Sequence, residues 1–355
     1  MTPTRPRRRR LLRMGAPLLG ALAGAGLVAT AGASASTHRP TAAKPTLVVY
    51  SAQGYDKAAT QAFQKATGIP VTLDDNSTGP LLTQIEASKN NPKWDVLWVD
   101  GATAFAALDQ QGLLLKNDEP KVSWDGLGKA SLPKDGSYIP TGVTLMAAMV
   151  YDKTKVASPP SSWQQLLSSQ WDGKIGMNDP SQSGPTYPFI AGIMSYLGGI
   201  SKGEAYFSTL KSHGLVINPT NGPTLSALGS GQINIALVQS SAGIGAALSD
   251  KHLAVKYLNP ATILPSAIGI DAKAPPAVQA EAEQFAAWVL SPAGQKVMQS
   301  GDPTGDSLYY PVLTGVKPLP ALPSLAAVRT QTIDPYLWGP REAMINAWFT
   351  AHIVQ

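Results

Sequence analysis

The 355-residue chain contains no cysteine, and only 14% of its residues are charged. The absence of cysteine excludes a disulfide scaffold, a thiolate metal site and a cysteine nucleophile. The low charge, combined with 44% hydrophobic residues, excludes a disordered tail protein and provides enough apolar material for a sizeable core. No stretch after the first 36 residues is long and apolar enough to span a bilayer.

The formal net charge of +5 reflects the N-terminus and not the body of the chain. Six of the 28 lysines and arginines lie within residues 1–36, which contain no acid. The 23 acidic residues that follow therefore slightly outnumber the remaining bases. A nearly neutral body without a concentrated basic face excludes a typical nucleic-acid-binding protein.

The first residues have the order of a secretory signal. An arginine cluster precedes an uncharged run rich in Ala, Gly and Leu, which ends in the small residues of 31–36. We predict a signal peptide over residues 1–35, a linker over 36–45 and an extracytoplasmic mature chain that is not a lipoprotein. The arginines fit both the general and the twin-arginine export routes, so the route stays open.

The mature chain alternates strand-like and helix-like segments. This alternation predicts an α/β protein with mainly parallel sheets, and about 320 residues favour two lobes over one core. The predicted strands are 46–51, 71–73, 95–99, 146–151, 174–177, 215–217, 233–238 and 267–270. The clearest predicted helices are 55–67, 79–87, 160–167 and 277–290.

Hydroxyl and amide side chains stand beside Gly or Pro where several predicted helices begin. Such starts expose free backbone N–H groups at the positive end of the helix dipole and can hold an anion. Five of them follow strands, where open α/β sheets place ligands. The candidate ligand-binding residues at these starts are Ser51, Gln53, Ser77, Thr78, Ser183, Thr186, Ser240 and Ser241, with Asn221–Thr224 forming a further start.

Arginine is almost absent from the body of the chain. From residue 46 onward, only Arg329 and Arg341 occur, both near the C-terminus. We therefore do not expect a guanidinium to bind an anion in the central cleft. Hydroxyls, amides and at most a lysine, such as Lys153 or Lys174, must bind it instead. If the solute also carries an ammonium, Asp100 or Asp179 at a strand end would face it.

The chain resembles the type 2 periplasmic solute-binding proteins of ABC importers, in the branch that includes ferric-ion, phosphonate and sugar-phosphate binders. The resemblance rests on stretches spread across the mature chain in the family's order. They are LVVYSAQGYDKAATQAFQKATGIPV (47–71), LLTQIEASKNNPKWDVLWVDG (81–101), GLL (112–114), MVYDKTKV (149–156), SWQQLLSSQWDGKIGMNDPSQSGPTY (162–187), GSGQINIALV (229–238), AIGIDAKAPPAVQAEAEQFAAWVLSPAGQKVM (267–298) and YPV (310–312).

The resemblance implies a two-lobed periplasmic-binding-protein type 2 fold that closes like a hinge around its ligand and delivers it to a membrane permease. We predict lobe 1 over 46–140 and 271–320, and lobe 2 over 141–270 including the hinge. The hinge strands are expected near 138–145 and 262–270. A C-terminal helical segment, 321–355, is expected to pack through Met344, Ile345, Trp348 and Phe349. We expect a monomer without cofactor.

One position departs from the ferric-ion binders, which place adjacent tyrosines where this chain has Gln239-Ser240-Ser241. Serine hydroxyls are poor ligands for a hard trivalent ion but suit the oxygens of a phosphate or phosphonate. The only Tyr pair, Tyr309-Tyr310, is expected to serve packing. We therefore predict a small anionic solute, such as a phosphonate, organophosphate or phosphate, and keep Fe³⁺ as an alternative without a predicted metal ligand.

Two further readings stay open at this level. Eight tryptophans suggest a polyamine or carbohydrate binder, although Trp94, Trp98, Trp163 and Trp171 are more typical of a core. Residues 199–203 fit the G-x-S-x-G pattern of a serine hydrolase. A helix-like segment precedes that pattern where a strand is required, so Ser201 is read as part of a helix-capping box and no enzyme activity is predicted.

Overall fold

The computed structural model describes residues 44–355. The predicted signal peptide, residues 1–35, and most of the predicted linker, 36–45, lie outside the described residues. Within 44–355, no helix has the length and apolar character needed to cross a membrane.

Within residues 44–355, nine strands and twelve α-helices follow one another in largely alternating order. The strands are β1 (Leu47–Ser51), β2 (Val71–Asp75), β3 (Val96–Asp100), β4 (Ile139–Asp152), β5 (Ile175–Asn178), β6 (Val216–Asn218), β7 (Ile235–Val238), β8 (Leu253–Ile270) and β9 (Thr330–Gln331). The helices are α1 (Asp56–Thr67), α2 (Thr78–Ala87), α3 (Ala102–Gln110), α4 (Gly126–Ser131), α5 (Thr186–Leu197), α6 (Ile200–Ser212), α7 (Asn221–Gly229), α8 (Ser240–Ser249), α9 (Pro276–Val289), α10 (Pro292–Gly301), α11 (Pro335–Trp338) and α12 (Glu342–Phe349).

All strands belong to one mixed sheet with the order β2-β1-β3-β8-β4-β7-β5-β6, to which β9 is added beside β8. The three strands at each end pair in parallel, β2-β1-β3 on one side and β7-β5-β6 on the other. We call the parts built on these two groups lobe 1 and lobe 2. The long strands β4 and β8 join them by antiparallel pairing and continue from one lobe into the other.

Each lobe buries apolar side chains on both faces of its part of the sheet. In lobe 1, Phe63 packs edge-on against Phe285, which also contacts Trp98. In lobe 2, Phe207 of α6 contacts Phe189 of α5 and Phe349 of the C-terminal helix α12. The predicted α/β fold with two lobes and parallel sheet segments is confirmed.

Some local predictions need correction. β4 and β8 are much longer than the predicted 146–151 and 267–270. Prolines and a glycine (Pro140, Gly142, Pro260, Pro265) interrupt the strand pattern in the sequence, but the antiparallel pairing of β4 with β8 extends both strands through these residues. The helix predicted over 160–167 is only a 3₁₀ turn, Gln164–Leu167. In α12, Ile345 and Phe349 are buried and Trp348 is partly buried as expected, but Met344 is 56% exposed. The lobe boundaries inferred from sequence stay predictions.

Candidate site at the seam between the lobes

The carboxyl ends of the parallel strands of the two lobes face each other, and the lobes touch there. The backbone N–H of Gly79, in the first turn of α2, donates to the carbonyl oxygen of Gln182 in lobe 2, with an N···O distance of 3.3 Å. Gly184 lies so close to Thr78 that a Cβ on it would be 2.4 Å from the threonine hydroxyl oxygen. We call this interface the seam; the molecule is in a closed arrangement.

Asp100, at the end of β3, is the centre of a hydrogen-bond network that crosses the seam. Its Oδ1 accepts from Gln53 Nε2 at 3.1 Å and from the Ser266 hydroxyl, and its Oδ2 accepts from Gln239 Nε2 at 2.8 Å. Gln53 belongs to lobe 1, Gln239 stands at the start of α8 in lobe 2, and Ser266 lies on the connecting strand β8. One carboxylate therefore bonds to both lobes and to the hinge.

A second carboxylate, Asp306, also joins the two lobes. Its Oδ2 accepts from the backbone N–H of Gly54 at 2.8 Å, and its Oδ1 accepts from the Ser241 hydroxyl at 3.1 Å. Asp306 follows α10 and lies 252 positions from Gly54, so no local pattern marks it. It is the main site residue that the sequence reasoning missed.

Both carboxyls have pKa values above the ordinary range. Burial raises the pKa of Asp100, and hydrogen bonds from Ser266, Gln53 and Gln239 oppose this rise. Burial, and next the negative charge of Asp100, raise the pKa of Asp306 to about 7. None of the ion pairs within residues 44–355 involves Asp100 or Asp306, so the lobe 1 side of the seam holds acidic groups without a paired cation in that part of the chain.

Lobe 2 contributes hydroxyls and amides to the seam. Asn178, at the end of β5, donates to the Ser183 hydroxyl oxygen at 3.2 Å and to Asn221 Oδ1 at 2.7 Å. The Thr224 hydroxyl donates to Asn178 Oδ1 at 2.7 Å. This network fixes the starts of α5 and α7 relative to each other, and Ser183 accepts through its oxygen, which leaves its hydroxyl hydrogen available.

The two serines at the start of α8 have different partners. Ser240 Oγ accepts from the backbone N–H of Leu145 at 3.0 Å, and its hydroxyl is directed at the phenol oxygen of Tyr257 on β8. The hydroxyl hydrogen of Ser241 is already donated to Asp306. Both serines are fully buried. Ser240 therefore bonds to the long strands β4 and β8, and Ser241 connects the lobes.

Three buried polar atoms at the strand and helix ends near the seam have no hydrogen-bond partner among the described residues. Two are donors on lobe 2, the hydroxyl of Thr186 at the start of α5 and Nδ2 of Asn218 at the end of β6. The third is an acceptor on lobe 1, Oδ2 of Asp56 in the first turn of α1. Because an unpaired buried polar atom costs about 1–3 kcal/mol, such atoms indicate places for ligand groups or water.

The remaining predicted residues are also at the seam or beside it. Ser51, at the end of β1, is buried, accepts from the backbone N–H of Gln53 at 3.2 Å and hydrogen-bonds Asp56, whose pKa burial nevertheless raises to about 6. Thr78 is buried against Gly184. Ser77 precedes α2 and is half-buried, but its side chain makes no capping bond. Their predicted contacts with a solute stay predictions.

Of the charged alternatives named from sequence, Asp179 is engaged within its own turn, and the two lysines are exposed. Asp179 accepts from the N–H and the hydroxyl of Ser181, both at 2.8 Å, and is a turn residue. Lys153 is exposed, and Lys174 is exposed at the amino end of β5, which is opposite the seam. Of the two carboxylates proposed to face an ammonium, Asp100 is therefore the one that joins the network across the seam.

The features behind the metal and aromatic alternatives are used for packing. The Tyr309 hydroxyl donates to Gln295 Oε1 at 3.0 Å, and that of Tyr310 donates to the Pro323 carbonyl at 2.9 Å. Residues 44–355 contain no group of three or more His, Cys, Asp or Glu side chains that could hold a metal ion. All four tryptophans, Trp94, Trp98, Trp163 and Trp171, are buried, so none is an open stacking platform.

The hydrolase pattern also lacks its structural context. Helix α5, and not a strand, precedes Gly199, and Ser201 is the second residue of α6. The predicted capping box is wrong as well, because α6 begins one residue before Ser201 and its cap residue, Gly199, has no side chain to bond with. Ser201 is therefore neither a nucleophile on a strand-to-helix turn nor a capping residue.

A cavity of about 940 Å³ borders the seam on the side of the C-terminal segment. It lies between the start of α3, the loop after α4, strand β8 and residues 332–336, and its lining includes Gly101, Tyr138, Pro188 and Tyr336. Residues of both lobes and of the hinge therefore share this space.

Comparison with known proteins identifies a family that the chain matches. A family model described as bacterial extracellular solute-binding protein matches residues 58–330. A putative 2-aminoethylphosphonate-binding periplasmic protein of Salmonella typhimurium is 22% identical over 204 residues, which are 56% of this chain and 58% of that protein. The chain thus spans little more than half of this relative. A thiamine-binding periplasmic protein of the same organism is 25% identical, covering 87% of this chain and 94% of the relative.

Solved structures of similar shape show the same architecture. The periplasmic binding protein AfuA from Actinobacillus pleuropneumoniae, with fructose-6-phosphate bound, superposes with a TM-score of 0.76 at 19% identity, covering 87% of this chain and 98% of AfuA. Iron-bound HitA from Pseudomonas aeruginosa gives a TM-score of 0.72 at 22% identity, covering 85% and 98%. These likenesses establish the two-lobed fold.

Proposed function

Because the chain belongs to the family of bacterial extracellular solute-binding proteins, we propose that it is the extracytoplasmic substrate-binding component of an ABC importer. It captures a small solute between its lobes and presents the closed form to a membrane permease. Relatives described as periplasmic support this location. In this role it is a receptor and not an enzyme.

The solute carries an anionic group of the phosphonate, organophosphate or phosphate kind. The observation that carries this proposal is the buried Thr186 hydroxyl, which lacks an acceptor at the first turn of α5. Asn218 Nδ2 lacks one as well, and the hydroxyl hydrogen of Ser183 is available. Phosphonate oxygens accept several such bonds, and the helix dipole favours their charge.

Ferric iron is the weaker candidate for the same seam. A hard trivalent ion needs anionic oxygen ligands, and the phenols of Tyr309 and Tyr310 are engaged in packing bonds. The seam of lobe 2 offers neutral hydroxyls and amides instead.

The test is a binding panel with wild-type protein and the variant Thr186→Val. Phosphate, methylphosphonate, 2-aminoethylphosphonate, fructose-6-phosphate, thiamine and ferric citrate are each added, and the melting temperature and the calorimetric Kd are measured. Thr60→Val is the matched control, because Thr60 is also buried in a helix but its hydroxyl bonds to the Asp56 carbonyl within α1.

We expect a phosphorus oxyanion to raise the melting temperature of the wild type. Thr186→Val should weaken that binding at least tenfold, since a hydrogen bond to a charged group is worth about 1.5–3 kcal/mol. The unliganded variant should be as stable as the wild type or more stable, because an unpaired buried hydroxyl is removed. Tight binding of ferric citrate alone, or unchanged affinity of Thr186→Val, contradicts the proposal.

A further inference from the structure

The segment between β9 and α12 leaves lobe 2, reaches lobe 1 and returns. We call residues 334–339, in the middle of this segment, the clasp. Before the clasp, Gln331 of β9 donates through Nε2 to the Gly192 carbonyl of α5 in lobe 2, at 2.9 Å. After the clasp, Phe349 of α12 is buried against Phe207 in the core of the same lobe. Both ends of the clasp are therefore fixed to lobe 2.

The clasp itself bonds to lobe 1. The Tyr336 hydroxyl donates to Asp109 Oδ2 on α3 at 3.0 Å. Gln110, the last residue of α3, donates through Nε2 to the Tyr336 carbonyl at 3.2 Å. Gly339 packs directly on α3, since a Cβ on it would lie 2.5 Å from the Thr103 carbonyl oxygen. One short turn anchored in lobe 2 thus makes both polar and steric contact with lobe 1.

Lobe 1 holds the acceptor of the Tyr336 hydroxyl in place with its own residues. Lys116 Nζ lies 2.9 Å from Asp109 Oδ1 and 2.7 Å from Asp135 Oδ2. Asp109 is only 6% exposed, and the Ser137 hydroxyl lies 3.3 Å from the Tyr336 hydroxyl. The receiving surface is therefore built within lobe 1, and the tyrosine of the clasp completes it when the lobes are closed.

The clasp has a fixed shape. Asp334 caps α11 by accepting from the backbone N–H of Tyr336 at 2.9 Å, and Pro335 occupies the first helical position. The Trp338 carbonyl accepts from the Tyr187 hydroxyl of lobe 2. Because the turn is rigid and tied to lobe 2, it cannot follow α3 when the lobes separate. Opening must therefore break the contacts of the clasp with lobe 1.

We propose that the clasp is a latch that stabilises the closed arrangement of the two lobes independently of the solute. Its contacts involve none of the seam groups assigned to the anion, so they add to the closed state whatever solute is bound. A solute that binds only the closed form gains apparent affinity in proportion to the fraction of closed molecules. The inference concerns the movement of the lobes and requires no particular solute.

The test measures opening of the lobes in protein without solute, and the Gly79 amide is the first reporter. This amide lies in the first turn of α2, where no helical carbonyl can accept from it, and it bonds to the Gln182 carbonyl of lobe 2. Its hydrogen therefore exchanges with solvent when the lobes open. The exchange rate at Gly79 follows the open fraction.

The second reporter is the distance between two spin labels, one on each lobe. Lys65 of α1 and Lys202 of α6 are exposed, and each is replaced by cysteine and labelled. The labels are unique because the chain has no cysteine of its own. The distance distribution gives the populations of closed and open molecules.

Two variants weaken the clasp in different ways. Tyr336→Phe removes the hydroxyl that bonds to Asp109 and keeps the ring. Gly339→Ala adds a methyl group that must displace the clasp from α3. Tyr206→Phe is the matched control, because its hydroxyl donates to the Trp163 carbonyl at 2.9 Å and both residues belong to lobe 2. Circular dichroism and melting temperature establish that each variant is folded.

Tyr336→Phe and Gly339→Ala should each speed exchange at Gly79 at least about tenfold and increase the population at the longer label distance. The size follows from the loss of a hydrogen bond to a charged group for the first variant and from overpacking for the second. Tyr206→Phe should match the wild type in both measurements. If one clasp variant does not fold, the other decides.

Three results overturn the proposal. The first is wild-type exchange and wild-type distances in the folded clasp variants. The second is equal acceleration in Tyr206→Phe, because the effect would then reflect overall stability and not the clasp. The third is a wild type that shows only the longer distance, because the clasp would then hold nothing closed. An effect of Gly339→Ala without one of Tyr336→Phe overturns the role of the tyrosine. None of these results bears on which solute is bound, so the proposed function is tested separately.

Discussion

The contact between Gly79 and lobe 2 makes closure of the lobes sensitive to a single methyl group. A Cβ on residue 79 would lie 1.9 Å from the carbonyl oxygen of Ser181, whereas ordinary contact begins near 3.4 Å. Gly79→Ala must therefore separate the lobes at this point by about 1.5 Å or displace the 181–182 backbone. Backbone cannot move aside as a flexible side chain can, so the clash raises the free energy of the closed state.

Overpacking of this kind costs about 1–3 kcal/mol. Since only the closed state contains the clash, the apparent affinity for solute should fall about 5- to 150-fold. An open, unliganded form does not contain it, and alanine is favoured over glycine in a helix by about 1 kcal/mol. The unliganded variant should therefore melt at the same temperature as the wild type or higher.

Calorimetry with 2-aminoethylphosphonate, together with small-angle scattering with and without the probe, measures both effects. Gly222→Ala is the control, because Gly222 also lies in the first turn of a helix at the carboxyl edge but has nothing within 4 Å of the added carbon. Gly79→Ala should show a smaller ligand-induced decrease in radius of gyration, and Gly222→Ala should match the wild type. Wild-type affinity and compaction in Gly79→Ala would refute closure through this contact.

Three further predictions follow from the same contacts. Ser183→Ala combined with Ser240→Ala should weaken phosphonate binding more than tenfold in calorimetry while the circular dichroism spectrum is unchanged, because Ser183 is a donor to the charged group and Ser240 positions the start of α8 through its bond with Leu145. Unchanged affinity would place the anion elsewhere. Burial raises the pKa of Asp306 from 3.8 to about 7 in the folded protein, so between these pH values the folded state keeps a proton that the unfolded state releases. This contribution to the stability of the fold is complete below pH 4 and is lost as the pH rises to 7. The melting temperature of Asp306→Asn should therefore rise relative to wild type between pH 4 and 7, and parallel curves would contradict the raised pKa. Phe349→Ala should lower the free energy of unfolding by about 3–5 kcal/mol in urea titrations, because Phe349 is fully buried against Phe207; a loss below 1 kcal/mol would mean that α12 is not part of the lobe 2 core.

The sequence predicted the strand ends and helix starts well because these depend on local patterns. Ser51, Thr78, Ser183 and Ser240 stand where a short apolar run meets Gly, Pro or a polar residue, and that change is visible in a few neighbouring residues. The alternation of strands and helices, with the resemblance across the chain, likewise predicted the two-lobed architecture that the solved structures share.

The contacts across the seam could not be predicted in this way. Asp306 meets Gly54 and Ser241 only because α10 returns the chain to lobe 1, and nothing near residue 306 indicates those partners. Gln239 was noted for lacking the tyrosine of ferric-ion binders, but its bonds to Asp100 and Thr144 depend on the hinge strands. The prolines and the glycine in β4 and β8 concealed those strands, so the hinge that brings these groups together was only partly recognised.

The most direct test of the account is a crystal structure of the protein with 2-aminoethylphosphonate bound. The account predicts the phosphonate oxygens within about 3 Å of the hydroxyls of Thr186 and Ser183. A ligand found instead in the cavity beside Tyr138 and Tyr336 would contradict it.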